Sequence, residues 1–331
     1  MLSLPLFTVS CKRLASALLA VSLGCAAINA QADDSSIVIQ GKDGWLFPGW
    51  GSLTEVDSRG IEVSTALIKD AQQALAARGV HLQVLVLPDK TRFYQDKLPA
   101  GKTLSAQVQQ RYQSILASLH KAGISALDDA AVLEQVRQGG KDVFYRTDQH
   151  WTQVAADATA QATAEQIKRD VPALKGSAGS GMTLGSEFKE RRFGDLAERF
   201  LTPEQRKQTG RETFTVRRQA AATGLLDSAP APVHVTGHSM VQPYFGFPQK
   251  LSNSVDRPVS VNWKPGNVGQ WIMLLEYLES ADFKNNPPQV LVWQMFEPTY
   301  AQGPQASGLW DNASIMSADA WRQRLRSALG R

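Results

Sequence analysis

The 331 residues carry 35 Lys plus Arg against 31 Asp plus Glu, a formal net charge of +4, and only two cysteines, Cys11 and Cys25. Both cysteines fall in the N-terminal leader described next, so the remainder of the chain excludes disulfides, thiolate metal ligands and a cysteine nucleophile. A chain this long buries enough apolar surface to fold without cross-links even where export permits them. Its mild basicity, with no dense basic stripe interleaved with aromatics, gives no nucleic-acid reading.

The chain opens as a targeting segment. Lys12 and Arg13 precede a run of apolar and small residues over 14–30, and Ala30-Gln31-Ala32 supplies the small-x-small pattern found before a cleavage site. Residues 1–32 are read as a signal peptide, with Asp33-Asp34 opening the mature chain. The apolar run is short for a membrane span, and an uncleaved signal anchor is the alternative. Cys25 raises a lipoprotein reading, which Ser22 opposes, since a large aliphatic usually stands three residues before the cysteine.

Gly41-Lys42-Asp43-Gly44-Trp45-Leu46-Phe47-Pro48-Gly49-Trp50 reads as a turn feeding a short aromatic strand. Trp45 and Phe47 anchor it to the core, or the aromatics form a sugar platform. Helical periodicity over 67–78 closes at Gly79, a natural C-cap, before a strand over 81–87 and a Pro88-Asp89-Lys90 loop. A helix over 108–122 closes at Gly123 and leads to a short strand over 124–127. This strand–helix alternation predicts a parallel sheet with helices on both faces.

Residues 141–145 lead into Thr147-Asp148-Gln149-His150-Trp151. A helix over 153–169 follows, favoured by its alanines, with a modest apolar stripe from Val154, Ala158 and Ala162. From about 173 to 231 the texture changes: Gly176, Gly179, Gly181 and Gly185 come close together, then a charged and polar run extends to Arg218. This stretch reads as an inserted surface excursion with one or two helices and a hairpin. Arg191 and Arg192 are either contacts for an anionic polymer or a solvated face. Regular structure resumes with an apolar segment over 233–236, the Gly237-His238-Ser239 turn, a helix over 268–278, a buried strand over 290–296 and a final helix over 319–329. No P-loop, dinucleotide glycine signature or internal repeat is present.

Asp148 and His150 are two residues apart and share one side of an extended segment, so the carboxylate orients the imidazole or both join a metal site. Ser239 would turn the first option into chemistry. A serine hydroxyl needs a base near neutral pKa to become a nucleophile, and an aspartate on the far ring nitrogen fixes the tautomer. The N–H of Ser239, with Gly266 and Asn267, are the oxyanion-hole candidates. The bland readings stay open, because Asp-x-His often makes a loop hydrogen bond and Gly-x-Ser is common. His238 is a rival base facing the other way, His81, His120 and His234 read as structural, and a metal reading would gather Asp148, His150, His238 and Glu297.

These motifs together resemble the alginate O-acetyltransferases of the AlgJ and AlgX type, whose fold is similar to that of SGNH hydrolases. The match runs through Gly41-Lys42-Asp43-Gly44-Trp45-Leu46-Phe47, Leu87-Pro88-Asp89-Lys90, Thr147-Asp148-Gln149-His150-Trp151, Gly194-Asp195-Leu196, Gly237-His238-Ser239 and Gly269-Gln270-Trp271. The resemblance implies a three-layer α/β/α fold with a mostly parallel central sheet, as a single catalytic domain over 33–331. Its motif order is circularly permuted, since ordinary SGNH hydrolases place the serine first and the Asp/His pair last. It also implies Ser239 as nucleophile, His150 as base and Asp148 as its orienting partner, with no cofactor and no metal.

The implied activity is periplasmic transfer of acetyl groups onto hydroxyls of an exopolysaccharide, most directly mannuronate residues of alginate. The acetyl donor would be a membrane O-acyltransferase or a soluble carrier, the acceptor an anionic polysaccharide, and the partners other exopolysaccharide-modification proteins, in the periplasm and with inner-membrane association as an option. Substrate-binding candidates are Trp151, His238, Tyr244, Trp271, Arg191 and Arg192. Three departures accompany the resemblance. His238 stands where a small or acidic residue usually precedes the serine. The stretch from Gln294 to Thr299 lacks the usual acidic residue and Pro-x-Arg, so cellulose or another polymer is the alternative acceptor. Nothing after Arg331 corresponds to the carbohydrate-binding module of the AlgX branch. The competing functions are an acetylesterase and a non-catalytic polymer-binding component of an export complex.

Overall fold

The computed structural model describes residues 37–218 and 230–330; the leader expected over residues 1–32 and the 219–229 part of the excursion lie outside the described residues. β1 (Val38–Gln40) and β2 (Leu46–Pro48) form an antiparallel pair. α1 (Ser58–Ala76) begins nine residues before the apolar periodicity suggested, because Asp57 caps it by accepting the Gly60 N–H at 2.7 Å. Then come β3 (His81–Leu87), the short α2 (Lys90–Phe93), α3 (Ala106–Lys121), β4 (Ser125–Ala126), α4 (Asp129–Gln138) and α5 (Gln153–Asp170).

The glycine-rich excursion folds into β5 (Glu187–Arg192), α6 (Asp195–Phe200), α7 (Pro203–Thr209) and β6 (Glu212–Arg217), with β5 and β6 pairing antiparallel. The chain continues through β7 (Val233–His238), α8 (Phe247–Val255), β8 (Val259–Lys264), α9 (Gln270–Glu279), α10 (Ala281–Asn285), β9 (Val290–Phe296) and α11 (Ala318–Ala328). No helix among the described residues is long and apolar enough to cross a membrane.

The central sheet has the order β4-β3-β9-β7-β8, and every pairing in it is parallel. Side chains alternate across it as strand geometry requires. Val84, Val86, Leu291, Trp293 and Met295 join the core under α1, α3, α9 and α11. Leu85, Leu87, Val233, Val235, Val290 and Val292 join the core under α5 and α8. The result is a three-layer α/β/α arrangement in which the strands read as nearly continuous apolar runs.

Three sequence readings change here. α5 turns in Ala155, Ala156, Ala160, Ala164 and Ile167 and leaves Val154 exposed, so its buried face is the small-residue side that packs against α8. Trp271 is not a substrate contact. It is fully buried, packs edge-on to Trp293 and Trp321, and donates its indole N–H to the Gln302 carbonyl at 2.8 Å. Trp151 is likewise core, fully buried and stacked on Phe247 at 5.4 Å.

The carboxyl ends of β3 and β9 are tied by a buried ionic group. Arg111 donates from Nε to Glu297 at 2.9 Å and from Nη2 to Asp89 at 2.9 Å, and Glu297 also accepts the Asp89 N–H at 2.8 Å. Glu297 is thereby committed and does not join the metal set considered from sequence. Removing one member of a buried pair leaves an uncompensated charge, which costs about 3–5 kcal/mol. Arg111→Met is therefore expected to lower the urea unfolding free energy by about 3 kcal/mol or more; a loss below about 1 kcal/mol would mean the group is not desolvated as described.

Candidate active site

The stretch from Phe144 to Trp151 is a tight excursion closed at its base. Phe144 and Trp151 form an isolated antiparallel bridge, Tyr145 N–H donates to the His150 carbonyl at 3.1 Å, and Thr152 N–H donates to the Val143 carbonyl at 3.0 Å. Thr152 then caps α5 by accepting the Ala155 N–H. This holds Thr147, Asp148, Gln149 and His150 at the tip, all buried.

Asp148 and His150 meet, but through a turn and not through strand alternation. Asp148 Oδ1 accepts the His150 backbone N–H at 2.9 Å, an Asx turn, and the same oxygen accepts from His150 Nδ1 at 2.6 Å. A carboxylate oxygen only accepts, so Nδ1 carries the proton. Nε2 is then free to accept from Ser239 Oγ, 2.8 Å away. Phe245 stacks on the imidazole with centroids 4.3 Å apart, fixing its plane.

Ser239 follows β7 directly and opens a single 3₁₀ turn, Ser239–Val241. Gly237 is required two residues earlier, because a Cβ there would lie 2.6 Å from Gln294 Oε1, which accepts the His238 N–H at 2.9 Å. His238 donates from Nε2 to the Val268 carbonyl at 2.9 Å, burial pushes its pKa down, and it is His150 whose Nε2 meets Ser239 Oγ. Neither His238 nor Glu297 joins the compact Asp148, His150 and Asp195 group.

Asp195 enters the sequence reading only as part of the Gly194-Asp195-Leu196 match and is not named there as a site residue. Its backbone N–H donates to Asp148 Oδ2 at 2.9 Å, and its carboxylate accepts from the Gln149 N–H at 3.0 Å and the Gln149 amide. Glu212 is another: it accepts from the backbone N–H of Arg146 at 2.8 Å and of Thr147 at 2.7 Å, and from the Thr147 hydroxyl. The excursion is therefore more than surface, since it binds the tip from outside. Gly194 and Asp195 form a known motif piece, whereas nothing in the local pattern marks Glu212.

The charges are ordered. Burial works to raise the Asp148 pKa, but the adjoining His150 outweighs it and the carboxyl lies below its ordinary range. Burial works to lower the His150 pKa, Asp148 overrides it, and the imidazole lies above its ordinary 6.5. Burial and the Asp148 charge push Asp195 up to about 6, so of these two carboxyls Asp195 protonates first.

Arg192 Nη1 stands 3.6 Å from Asp148 Oδ2, with its guanidinium 3.7 Å from the Phe214 centroid. Tyr244 donates its hydroxyl to Glu190 and accepts from Arg192 Nε at 3.3 Å. Arg192 and Tyr244 therefore brace the back of Asp148, and Arg191 points from the hairpin to solvent. None of the three lines the cleft at Ser239. That cleft, of about 420 Å³, is walled by Trp50, Phe200, Met240, Phe296 and Trp310, with Gln149, His238, Gly266, Asn267 and Thr299 as polar lining. Arg199 is the one charged side chain among its described lining residues.

Residues 38–297 match the family model of an SGNH hydrolase-like domain, acetyltransferase AlgX. The chain is 30% identical over 271 residues to a probable alginate O-acetylase AlgJ of Pseudomonas fluorescens, spanning 78% of this chain and 67% of that protein. It is 30% identical over 317 residues to the Pseudomonas aeruginosa PAO1 protein of the same description, spanning 89% and 76%. Among solved structures, the O-acetyltransferase domain of Pseudomonas putida AlgJ superposes with a TM-score of 0.72 at 26% identity, covering 88% of this chain and 99% of that one.

A Cβ at Gly194 would lie 2.4 Å from the Thr147 carbonyl carbon and oxygen. Gly194→Ala is therefore expected to push the excursion off the tip and destabilise the fold by about 1–3 kcal/mol. The Asp195 N–H should then lose amide-exchange protection ahead of the β7 amides; unchanged protection would contradict the contact.

Proposed function

Because the chain belongs to the SGNH hydrolase-like acetyltransferases of the AlgX family, we propose that it moves acetyl groups onto hydroxyls of an exopolysaccharide through a Ser239 acetyl-enzyme. The observation that carries this reading is the unbroken relay of 2.6 Å from Asp148 to His150 and 2.8 Å from His150 to Ser239. His150 Nε2 takes the Ser239 hydroxyl proton as Oγ attacks the acetyl carbonyl of the donor. The tetrahedral oxyanion is met by backbone N–H groups of Ser239, Gly266 and Asn267, all of them residues that line the cleft. His150 returns the proton to the departing donor group and leaves Ser239 acetylated. An acceptor hydroxyl then gives its proton to His150, attacks the ester carbonyl and releases Ser239. Asp148 stabilises the imidazolium in both halves.

Arg199 beside an otherwise neutral, aromatic-walled cleft supports an acidic sugar as acceptor, with the partly exposed Trp50 in its wall. Mannuronate residues of alginate fit that chemistry. The donor is a membrane O-acyltransferase or a soluble carrier, the partners are other polysaccharide-modification proteins, and the compartment is the periplasm, reached by the leader at 1–32.

Ser239→Ala should abolish acetate release from p-nitrophenyl acetate; a folded variant with unchanged hydrolysis would end the assignment. The base must be neutral, and His150 titrates above 6.5, so kcat/KM is expected to rise with pH along a limb whose midpoint exceeds that value. Asp148→Asn removes the charge that holds it up and should move the limb to lower pH. With an acetyl donor and mannuronate oligomers, mass spectrometry should find acetylated oligomer; free acetate alone would indicate an esterase.

A further inference from the structure

The loop bearing Asp148 and His150 contributes no strand to the central sheet, whereas Ser239 is placed by β7 within it. Some contact must refer one to the other if Nε2 and Oγ are to stay 2.8 Å apart. Lys90 makes it. Three residues past the end of β3, its side chain is fully buried. Nζ donates to the carbonyls of Leu46 at 2.6 Å, Tyr145 at 2.6 Å, Arg146 at 3.0 Å and Asp148 at 2.9 Å. An ammonium has three N–H groups, so these four acceptors saturate it.

The rings of Trp45 and Phe47 close the cage, with centroids 5.2 and 5.4 Å from Nζ. Leu46 N–H adds a bond of 2.9 Å to the Arg146 carbonyl. The aromatic turn at 41–47 is thus the wall of an ammonium cage and not a sugar platform. Trp45 is only 8% exposed and packs 4.0 Å from Tyr94.

We propose that Lys90 is a positioning residue, which ties the loop of Asp148 to β2 and to the end of β3 and so sets the reach of His150 to Ser239. The proposal rests on reading Ser239 and His150 as the reacting pair. Its partners among the described residues are all neutral carbonyls, so it is a buried cation without an ion pair. Such a group is costly to bury, and a packing role alone would be met by methionine at no such cost. Burial pulls its pKa down to about 7, with Glu212, Asp148 and Asp195 acting against that at longer range.

The test uses Lys90→Met in the full chain, assayed with p-nitrophenyl acetate and by the downfield proton resonance of His150 Nδ1–H. A displacement of about 1 Å away from the chemistry costs on the order of 100-fold. The expected result is a fall in kcat of about that size, KM within about threefold, and a shifted or lost resonance. Lys90→Cys, aminoethylated while unfolded and then refolded in a Cys11→Ser, Cys25→Ser background, should recover most of the kcat, and the carbamidomethylated protein should not. A folded Met variant with wild-type kcat and an unmoved resonance overturns the proposal, as does lowered stability with both readouts unchanged. Should Lys90→Met fail to fold, Lys90→Gln, which keeps two N–H donors, is read by the same criteria. Ser239→Ala separates the two levels: if it stays active the catalytic reading fails, while the resonance still reports whether Lys90 holds the Asp148–His150 pair.

Discussion

A carboxylate with 1% of its surface exposed has to be satisfied by the protein, and the site is built around satisfying Asp148. Oδ1 takes two donors from His150, and Oδ2 takes the Asp195 N–H with Arg192 at 3.6 Å. These donors come from the Asp/His loop itself and from the β5–α6 region. Arranging them keeps Asp148 ionised and makes His150 a stronger base than a free imidazole. A carboxylate left short of donors in this position would take up a proton and lose its hold on the ring.

The parallel sheet supplies the other half. Its carboxyl edge carries Ser239 after β7, Lys90 shortly after β3 and Glu297 after β9, in keeping with the habit of α/β sheets to place chemistry beyond their strand ends. The loop of Asp148 reaches this edge from outside the sheet and is gripped on two sides. Lys90 holds its carbonyls and Glu212 its N–H groups. One grip belongs to the sheet and the other to the inserted hairpin, so the insertion is part of the site's frame.

Much of this was legible in the residues. The strands His81–Leu87 and Val290–Phe296 coincide with apolar runs bounded by turn residues, and the fold class follows from their alternation with helices. Asp148, His150 and Ser239 could be named because an Asp-x-His pair and a Gly-x-Ser turn after an apolar run supply base, orienting carboxylate and nucleophile, and because both stretches fall in the motifs that carry the family resemblance. What could not be read was side-chain direction. Trp151 and Trp271 look like sugar-binding aromatics in sequence, yet core and cleft demand the same residue type, and both are buried. Arg191 and Arg192 are neighbours on a strand and therefore face opposite ways, one to solvent and one toward Asp148. Glu212 and Lys90 act on backbone groups, and a backbone partner leaves no trace in local composition.

The central claim is that Ser239 carries the acetyl group between donor and acceptor. The most direct measurement is rapid acid quench of the protein mixed with p-nitrophenyl acetate, followed by peptide mass mapping. The account predicts an acetyl increment on the peptide containing Ser239, forming before steady state and discharged when acceptor oligomers are added. Acetyl found on another residue, or none at any time point while turnover proceeds, would contradict it.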